Sequence, residues 1–250
     1  MSPPLFWVDA VPRLGADVTL SGAEGRHAVT VTRIAAGEEL VVGDGRGSTA
    51  RCEVAAITAK DTLIARAHTY AYVDRPRPTV TVVQALPKGE RSELAVDLAT
   101  EAGADRIIPW QAARCVARWT GKVDKGLAKW ASAASAAAKQ SRRPWIPDIG
   151  PLASTTDVRA LSSDVIAGGG IVAVLHEHGA VGLRDLGVAD VGEIVLVIGP
   201  EGGLDDTEIA DLTALGATSV ILGPQVLRTS TAAAVALGAL GVLTDRWSTT

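Results

Sequence analysis

The chain has 250 residues, 47% of them hydrophobic and 21% charged, with 26 glycines and 12 prolines. That is enough to bury one large core or two smaller ones, and it excludes a disordered, collagen-like or disulfide-stapled protein. A net charge of −4 argues against a nucleic-acid partner, but the charge is unevenly spread: residues 1–74 carry 7 basic and 9 acidic side chains, 75–143 carry 13 and 6, and 144–250 carry 4 and 13. A +7 stretch between stretches of −2 and −9 suits a polyanion held by the middle of the chain, or else a solvated basic helix face.

The first seventy residues read as short strands. Val29–Thr32, Glu39–Val42 and Ala50–Val54 alternate or are β-branched, and Gly43, Gly45 and Gly47 supply turn glycines between the last two. A small β-barrel is expected over residues 1–73. Asp74–Pro78, with two prolines and three charges, reads as a linker. Beyond it strands and helices alternate: strand Thr79–Leu86, helix Ser92–Ala102, strand Arg106–Trp110 and a long Ala-rich helix Lys122–Gln140. Strands Ile171–Leu175 and Ile194–Ile198 follow, then helix Asp205–Leu215 opening on Asp205-x-x-Glu208, strand Ser219–Leu222 and helix Ser230–Asp245. Continuous apolar strands separated by helices predict an α/β domain with a mostly parallel sheet over 74–250.

Cys52 and Cys115 lie far apart with no Cys-x-x-Cys spacing, a usage that fits two free thiols in a reducing cytosol. Met1–Val8 has neither a basic n-region nor a long apolar h-region, so no secretory signal is expected. The longest apolar stretch, Ala232–Leu243, is about half a membrane span and reads as a buried helix. A cytoplasmic protein away from membranes is the expectation.

Several motifs carry chemistry. Asp44-Gly45-Arg46-Gly47 lacks the full Gly-x-Gly-x-x-Gly and is followed by a strand, so it reads as a hairpin turn; no Walker A sequence occurs. His176-Glu177-His178 lacks metal-ligand helix spacing, no metal is expected, and the tripeptide fits a strand end on a pocket rim. Gly199-Pro200-Glu201-Gly202-Gly203 lies between an apolar strand and a capped helix, where backbone can approach a ligand closely. Leu222–Thr229 occupies the equivalent place after the last strand, so the two loops are expected to converge on one pocket. Arg228 is the only lysine or arginine between Arg184 and Arg246, fitting either a structural ion pair or an anion-facing group. In the basic stretch, Lys88–Arg91 and Lys139–Arg143 alternate with Trp110, Trp119, Trp130 and Trp145, a composition suited to RNA backbone and bases. At least two of these tryptophans are expected to be core or interface anchors instead.

Taken in order, Lys88-Gly-x-Arg91, Thr100-Glu-x-Gly103, Gln140-x-x-Arg143, Gly199-Pro-Glu-Gly-Gly203 and Leu222-Gly-x-x-Val-Leu-Arg228 resemble the ribosomal RNA small subunit methyltransferase E family. The His27–Arg33 stretch and Asp44-Gly-x-Gly47 fit the same family, so the resemblance spans the chain. It implies a PUA-like N-terminal β-barrel (1–73) and a C-terminal SPOUT α/β domain (74–250) with a deep trefoil knot and cofactor site over about 171–232. The activity implied is S-adenosylmethionine-dependent methylation of N3 of uridine 1498 (standard numbering) of 16S rRNA in the small ribosomal subunit, by a homodimer. Cofactor binding then falls to Leu175, His176, Glu177, Ile198, Gly199, Pro200, Gly202, Gly203, Leu222, Gly223, Val226, Leu227 and Thr229. Arg228 would stabilise the uracil anion, and Glu201 would take the N3 proton or orient the base. Lys88, Arg91, Gln140, Arg142 and Arg143 would contact RNA. A related SPOUT enzyme acting on another rRNA or tRNA position or on a ribose 2′-OH, and a non-catalytic RNA-binding protein, are the competing readings. Two positions depart from the family: Gln225 stands where it usually has Arg, and Ser230 where it usually has Glu, at a helix start where either residue can cap.

Overall fold

The computed structural model describes residues 3–248. Its contacts divide the chain into two units, one of residues 1–75 with 138–146 and one of residues 76–137 with 147–250.

The first unit is a six-stranded barrel-like sheet. Its strands are β1 (Leu5–Trp7), β2 (Asp17–Leu20), β3 (Glu39–Gly43), β4 (Ser48–Ala59), β5 (Thr62–Ala67) and β6 (Ala71–Tyr72), in the order β1-β3-β4-β5-β2 with β6 on β4. Only the β1–β3 pair is parallel. The period of two is plain in β4, where Ala50, Cys52 and Val54 are buried while Arg51 and Glu53 are exposed. Phe6, Leu20, Leu40 and Leu63 fill the interior with these residues, each contributing roughly 1.5–3 kcal/mol of burial.

Val29–Thr32 is not a strand. A short helix α1 (Gly22–Arg26) runs into a π-helical turn over His27–Thr32, closed by Ile34 N–H donating to Ala28 O (3.1 Å) and stopped at Arg33, which is left-handed at φ 58°. Alternating Val and Thr mimic a half-buried strand, but Ala28 is buried and Val29 packs on the barrel core while Val31 is exposed, so the interior is met with a helical and not a two-residue period.

Residues 138–146 pack in this unit. Gly47 N–H donates to Pro144 O (3.0 Å) and Ile146 N–H to Gly45 O (3.0 Å). The glycines of the Asp44–Gly47 turn make the room: Gly45 and Gly47 have φ of 68° and 98°, and a Cβ on them would lie 2.5 Å from Ile146 and 2.8 Å from the Trp145 ring. A single cut at residue 73 puts this returning segment with the α/β domain.

The second unit holds a seven-stranded sheet built from β7 (Thr79–Ala85), β8 (Arg106–Trp110), β9 (Asp148–Ile149), β10 (Ile171–Leu175), β11 (Val181–Gly182), β12 (Glu193–Ile198) and β13 (Thr218–Ile221). The order is β11-β13-β10-β12-β7-β8-β9 and every pairing is parallel. Helices α2 (Arg91–Ala102), α4 (Thr155–Ala167), α5 (Asp206–Ala214) and α6 (Thr229–Leu243) belong to this unit, as does most of α3 (Val123–Gln140). Of these, α4 is absent from the expected elements, although Ser154 and Asp157 form a reciprocal capping box at its start. The Asp205–Glu208 box opens α5 as expected. Ile194–Ile198 is buried throughout, the continuous apolar run of a strand covered on both faces. The C-terminal turn is fastened by a buried ion pair: Arg246 and Asp105 (2.8 Å) have side chains 4% and 3% exposed, and Arg246 also donates to the carbonyls of Gly103 and Pro78.

Candidate active site

Strands β13, β10 and β12 are neighbours in the sheet, so the loops after their carboxyl ends adjoin, the place where open α/β sheets bind ligands. The three loops line a cleft of about 510 Å³ with a side recess of about 100 Å³. Leu175, His176, Glu177, Val226 and Leu227 border both spaces. Ile198, Gly199, Pro200, Gly202, Gly203 and Thr229 line the larger one, and Leu222 and Gly223 the recess.

Close backbone approach builds the floor. His176 N–H donates to Val220 O (3.0 Å) and Ala180 N–H to Ser219 O (2.9 Å), drawing the loop after β10 along β13. A Cβ on Gly179 would stand 2.2 Å from the Val220 carbonyl carbon, so only glycine fits. His178 N–H donates to His176 Nδ1 (3.2 Å), which leaves the proton of a neutral His176 ring on Nε2. The Gly199–Gly203 turn is closed by Gly203 N–H on Pro200 O (2.9 Å), with Gly203 at φ 74°. Thr229 Oγ1 donates to Gly199 O (3.0 Å) and ties the start of α6 to this turn.

Glu177 and Glu201 with Arg91 and Arg228 set the charge of the cleft. Glu201 accepts from the Lys88 N–H (2.9 Å), joining the glycine turn to the Lys88–Arg91 segment. Arg91, first residue of α2, and Arg228 both line the cleft and both are exposed. Arg228 is the N-cap of α6 without a side-chain cap bond, a cation where the helix dipole favours an anion. Ser230 therefore does not cap the helix: it is buried inside the first turn. Gln225 is exposed on the recess.

A brace beneath the turn was not legible in the motifs. Arg114 donates to Leu204 O (3.0 Å) and pairs with Asp205 (3.2 Å). Buried Glu208 accepts from Ala113 N–H (2.9 Å) and Thr155 Oγ1 (2.8 Å), besides its cap bond to Asp205 N–H (3.2 Å). The Thr207 amide and hydroxyl, with Arg114 beside them, hold the Asp205 carboxyl below its usual range. Buried Leu204 and Val220 also line the cleft and recess; their strand-flanking position was the only available signal.

The basic residues fall in different units. Lys88 and Arg91 are in the second, whereas exposed Gln140 and Arg142 and half-buried Arg143 are in the first. Lys139 is occupied by Glu24 (2.6 Å) and His27 Nδ1 (3.1 Å). No group of three or more metal-ligating side chains occurs among the described residues, the His176–His178 loop included.

Residues 74–241 match the model of an RNA methyltransferase domain, and residues 20–67 that of an RNA methyltransferase PUA domain. The ribosomal RNA small subunit methyltransferase E of Mycobacterium tuberculosis is 53% identical over 97% of this chain and 93% of its own length. This chain belongs to the ribosomal RNA small subunit methyltransferase E family. The Bacillus subtilis member is 29% identical over 91% of the chain and 90% of its own length. The Neisseria gonorrhoeae member of the family, solved bound to S-adenosyl methionine, superposes with a TM-score of 0.86 at 25% identity, covering 97% of this chain and 98% of that one. A methyltransferase from Legionella pneumophila, solved with the same cofactor, gives 0.83 at 27% identity over 98% and 99%. The fold expected from the family is therefore met in both parts, a PUA-type barrel and an α/β methyltransferase domain.

Proposed function

We propose that this chain transfers a methyl group from S-adenosylmethionine to N3 of uridine 1498 of 16S rRNA in the small ribosomal subunit. The observation that carries this reading is the cleft itself, where three strand-end loops meet Arg91 and Arg228 in a chain of this family. The cleft fits an adenosyl group. Its volume lies within the usual range for small-ligand sites, roughly 300–1,000 Å³, and Leu175, Ile198, Leu222 and Leu227 give apolar walls beside close-packed backbone. Bound there, the cofactor supplies an electrophilic methyl group. The loops 175–179, 198–203 and 222–229 hold and orient it, and such positioning contributes roughly 7–11 kcal/mol in favourable cases.

Methylation at N3 requires loss of the N3 proton. The Arg228 guanidinium stabilises the uracil anion that develops, a role in which one donor is typically worth about 10²–10³ in rate. Glu201 receives the proton or orients the base, while one of its oxygens stays on the Lys88 amide. Lys88, Arg91, Gln140, Arg142 and Arg143 contact the RNA, the arginines as phosphate partners. In this reading residues 171–232 form a trefoil knot; the place of β13 between the earlier strands β10 and β11 supports it. The enzyme acts as a cytoplasmic homodimer. Helix α6, apolar on all sides yet with Val235 and Val242 45% and 77% exposed, supports a second copy covering that stripe. Among the described residues no helix is long and apolar enough to cross a membrane.

The deciding experiment incubates the protein and S-adenosylmethionine with free 16S rRNA and with assembled 30S subunits, then identifies nucleosides by mass spectrometry. N3-methyluridine at position 1498 is expected. A 2′-O-methylated nucleoside, another modified position, or no cofactor affinity overturns the proposal.

A further inference from the structure

The segment 87–93 borders two spaces in the second unit. Arg91 faces the cofactor cleft, whereas Pro87, Ser92 and Glu93 line a separate cavity of about 200 Å³. The other wall of that cavity is aromatic. Trp130, 1% exposed, donates from Nε1 to Ser92 Oγ (2.9 Å) and is thereby fixed. Trp119 meets it edge to face, with ring centroids 5.3 Å apart at 84°, and remains half-buried at the cavity. Gly126 of α3 makes this possible, since a Cβ there would lie 2.5–2.7 Å from three atoms of the Trp119 ring. At the rim, Lys129 and Glu93 form a half-exposed pair (2.9 Å), a donor and an acceptor side by side.

The surrounding charge breaks a local rule. Lys122 and Lys125 are exposed at the start of α3, where the helix dipole favours anions; Asp124 alone conforms. Arg118 is exposed in the preceding loop. Cations gathered against a helix N-terminus are expected where a polyanion supplies the compensation.

We propose that this cavity holds the unpaired base of an RNA nucleotide flanking the methylated one, with Trp119 against the base and Lys122 and Lys125 against its phosphates. The inference rests on the RNA-methylating reading and adds a second nucleotide subsite to it. One wall segment shared with the cleft would keep the flanking nucleotide in place while the target uridine lies at Arg228. The size suits one base and excludes a duplex, and stacking on an aromatic ring is the usual way in which proteins hold splayed-out RNA bases.

The test measures affinity of the full-length protein for a short single-stranded RNA spanning the target, intact or abasic at each flanking position in turn. In wild type, one abasic position should weaken binding by roughly 5- to 100-fold. Trp119→Ala should weaken intact RNA by a similar factor and make that abasic position indifferent, and Trp119→Phe should recover most of the loss. Affinity for S-adenosylmethionine should stay at the wild-type value in both variants. If Trp119→Ala perturbs the cofactor site, Ala117→Leu, which narrows the cavity and keeps the indole, should reproduce the RNA defect with cofactor binding intact. Wild-type affinity of both variants for intact RNA overturns the proposal. So does an abasic penalty that persists in Trp119→Ala, and so does a change of oligomeric mass with RNA affinity unaltered, which would make the cavity a protein contact. Absence of methyl transfer by the wild type would remove the catalytic reading instead, because the abasic series reads binding alone.

Discussion

Trp145 in the first unit and Trp119 in the second lie just beyond and within the basic stretch 75–143, and each has a glycine against its ring. Their surroundings differ. Trp145, half-buried, has several partners of the chain's own: Gly47 lies on the ring, the Arg75 guanidinium sits 4.4 Å from its centroid, and Nε1 donates to Val73 O (2.7 Å). Trp119 borders open space. A similar contrast holds for some of the glycines, since Gly45 and Gly47 receive side chains whereas Gly203, with nothing within 4 Å of a Cβ, lines the cleft. Charge divides along the same line, with eleven basic and nine acidic side chains in the first unit and thirteen and nineteen in the second. What separates these two half-buried rings is the cavity that Trp119 lines.

The comparison can be broken at several points. The largest effect is expected at Arg246 in the second unit. Arg246→Ala takes the cation from the buried Asp105 carboxylate and should cost about 3–5 kcal/mol in urea denaturation, whereas breaking the exposed Arg66–Asp17 pair of the barrel should leave the midpoint nearly unchanged. Next comes Arg228→Ala, expected to lower single-turnover methylation by about 10²–10³ with RNA saturating, cofactor affinity holding. A wild-type rate would remove Arg228 from the mechanism.

Paired glycine substitutions address the contrast directly. Gly47→Ala meets both a φ of 98° and the Trp145 ring, and should cost about 2–4 kcal/mol without changing cofactor affinity. Gly179→Ala should instead abolish measurable S-adenosylmethionine binding, because the loop can no longer lie on β13. Equal cofactor loss in both would show that the two glycine roles are not separate. A smaller effect separates the cations: Arg91→Ala and Arg142→Ala should each lower the salt slope of RNA binding by about 0.7. Lys139→Ala should leave the slope unchanged and destabilise the barrel, since that lysine is bound to Glu24.

The smallest effect concerns pH. Burial pushes the Cys52 thiol up from 9.0 to about 11, so the folded state holds this proton more tightly than the unfolded chain. Its contribution to stability is complete below pH 9 and declines as pH rises through 9 towards 11. Denaturation midpoints across that range should fall less in Cys52→Ala than in wild type, the remainder coming from Cys115, whose thiol burial also pushes up.

Where periodicity and burial coincide, the sequence already carries the structure. The run Ile194–Ile198 is a buried parallel strand, and the Asp205–Glu208 spacing is a capping box. Val29–Thr32 shows the converse: the alternation is present, but Ala28 and Val29 meet the core while Val31 does not, so the segment is helical. The site divides similarly. Loops that follow strands could be assigned to a cleft because chain order sets their position, and the structure brings them together. The Glu208–Ala113 and Arg114–Leu204 brace could not, because its partners are about ninety residues apart. Glu208 was visible as a cap, but nothing local marks its second set of hydrogen bonds.

The return of residues 138–146 to the barrel has a consequence for synthesis. When the chain has emerged only as far as Arg75, the Asp44–Gly47 turn still lacks Trp145 and Ile146. At typical elongation rates the ribosome needs roughly 4–14 s to deliver them. During that interval Gly45 lacks the Ile146 side chain that packs on it, and Gly47 has Val73 but not the Trp145 ring. The barrel, first in the sequence, is completed only after the first two strands of the second unit, β7 and β8, have been made.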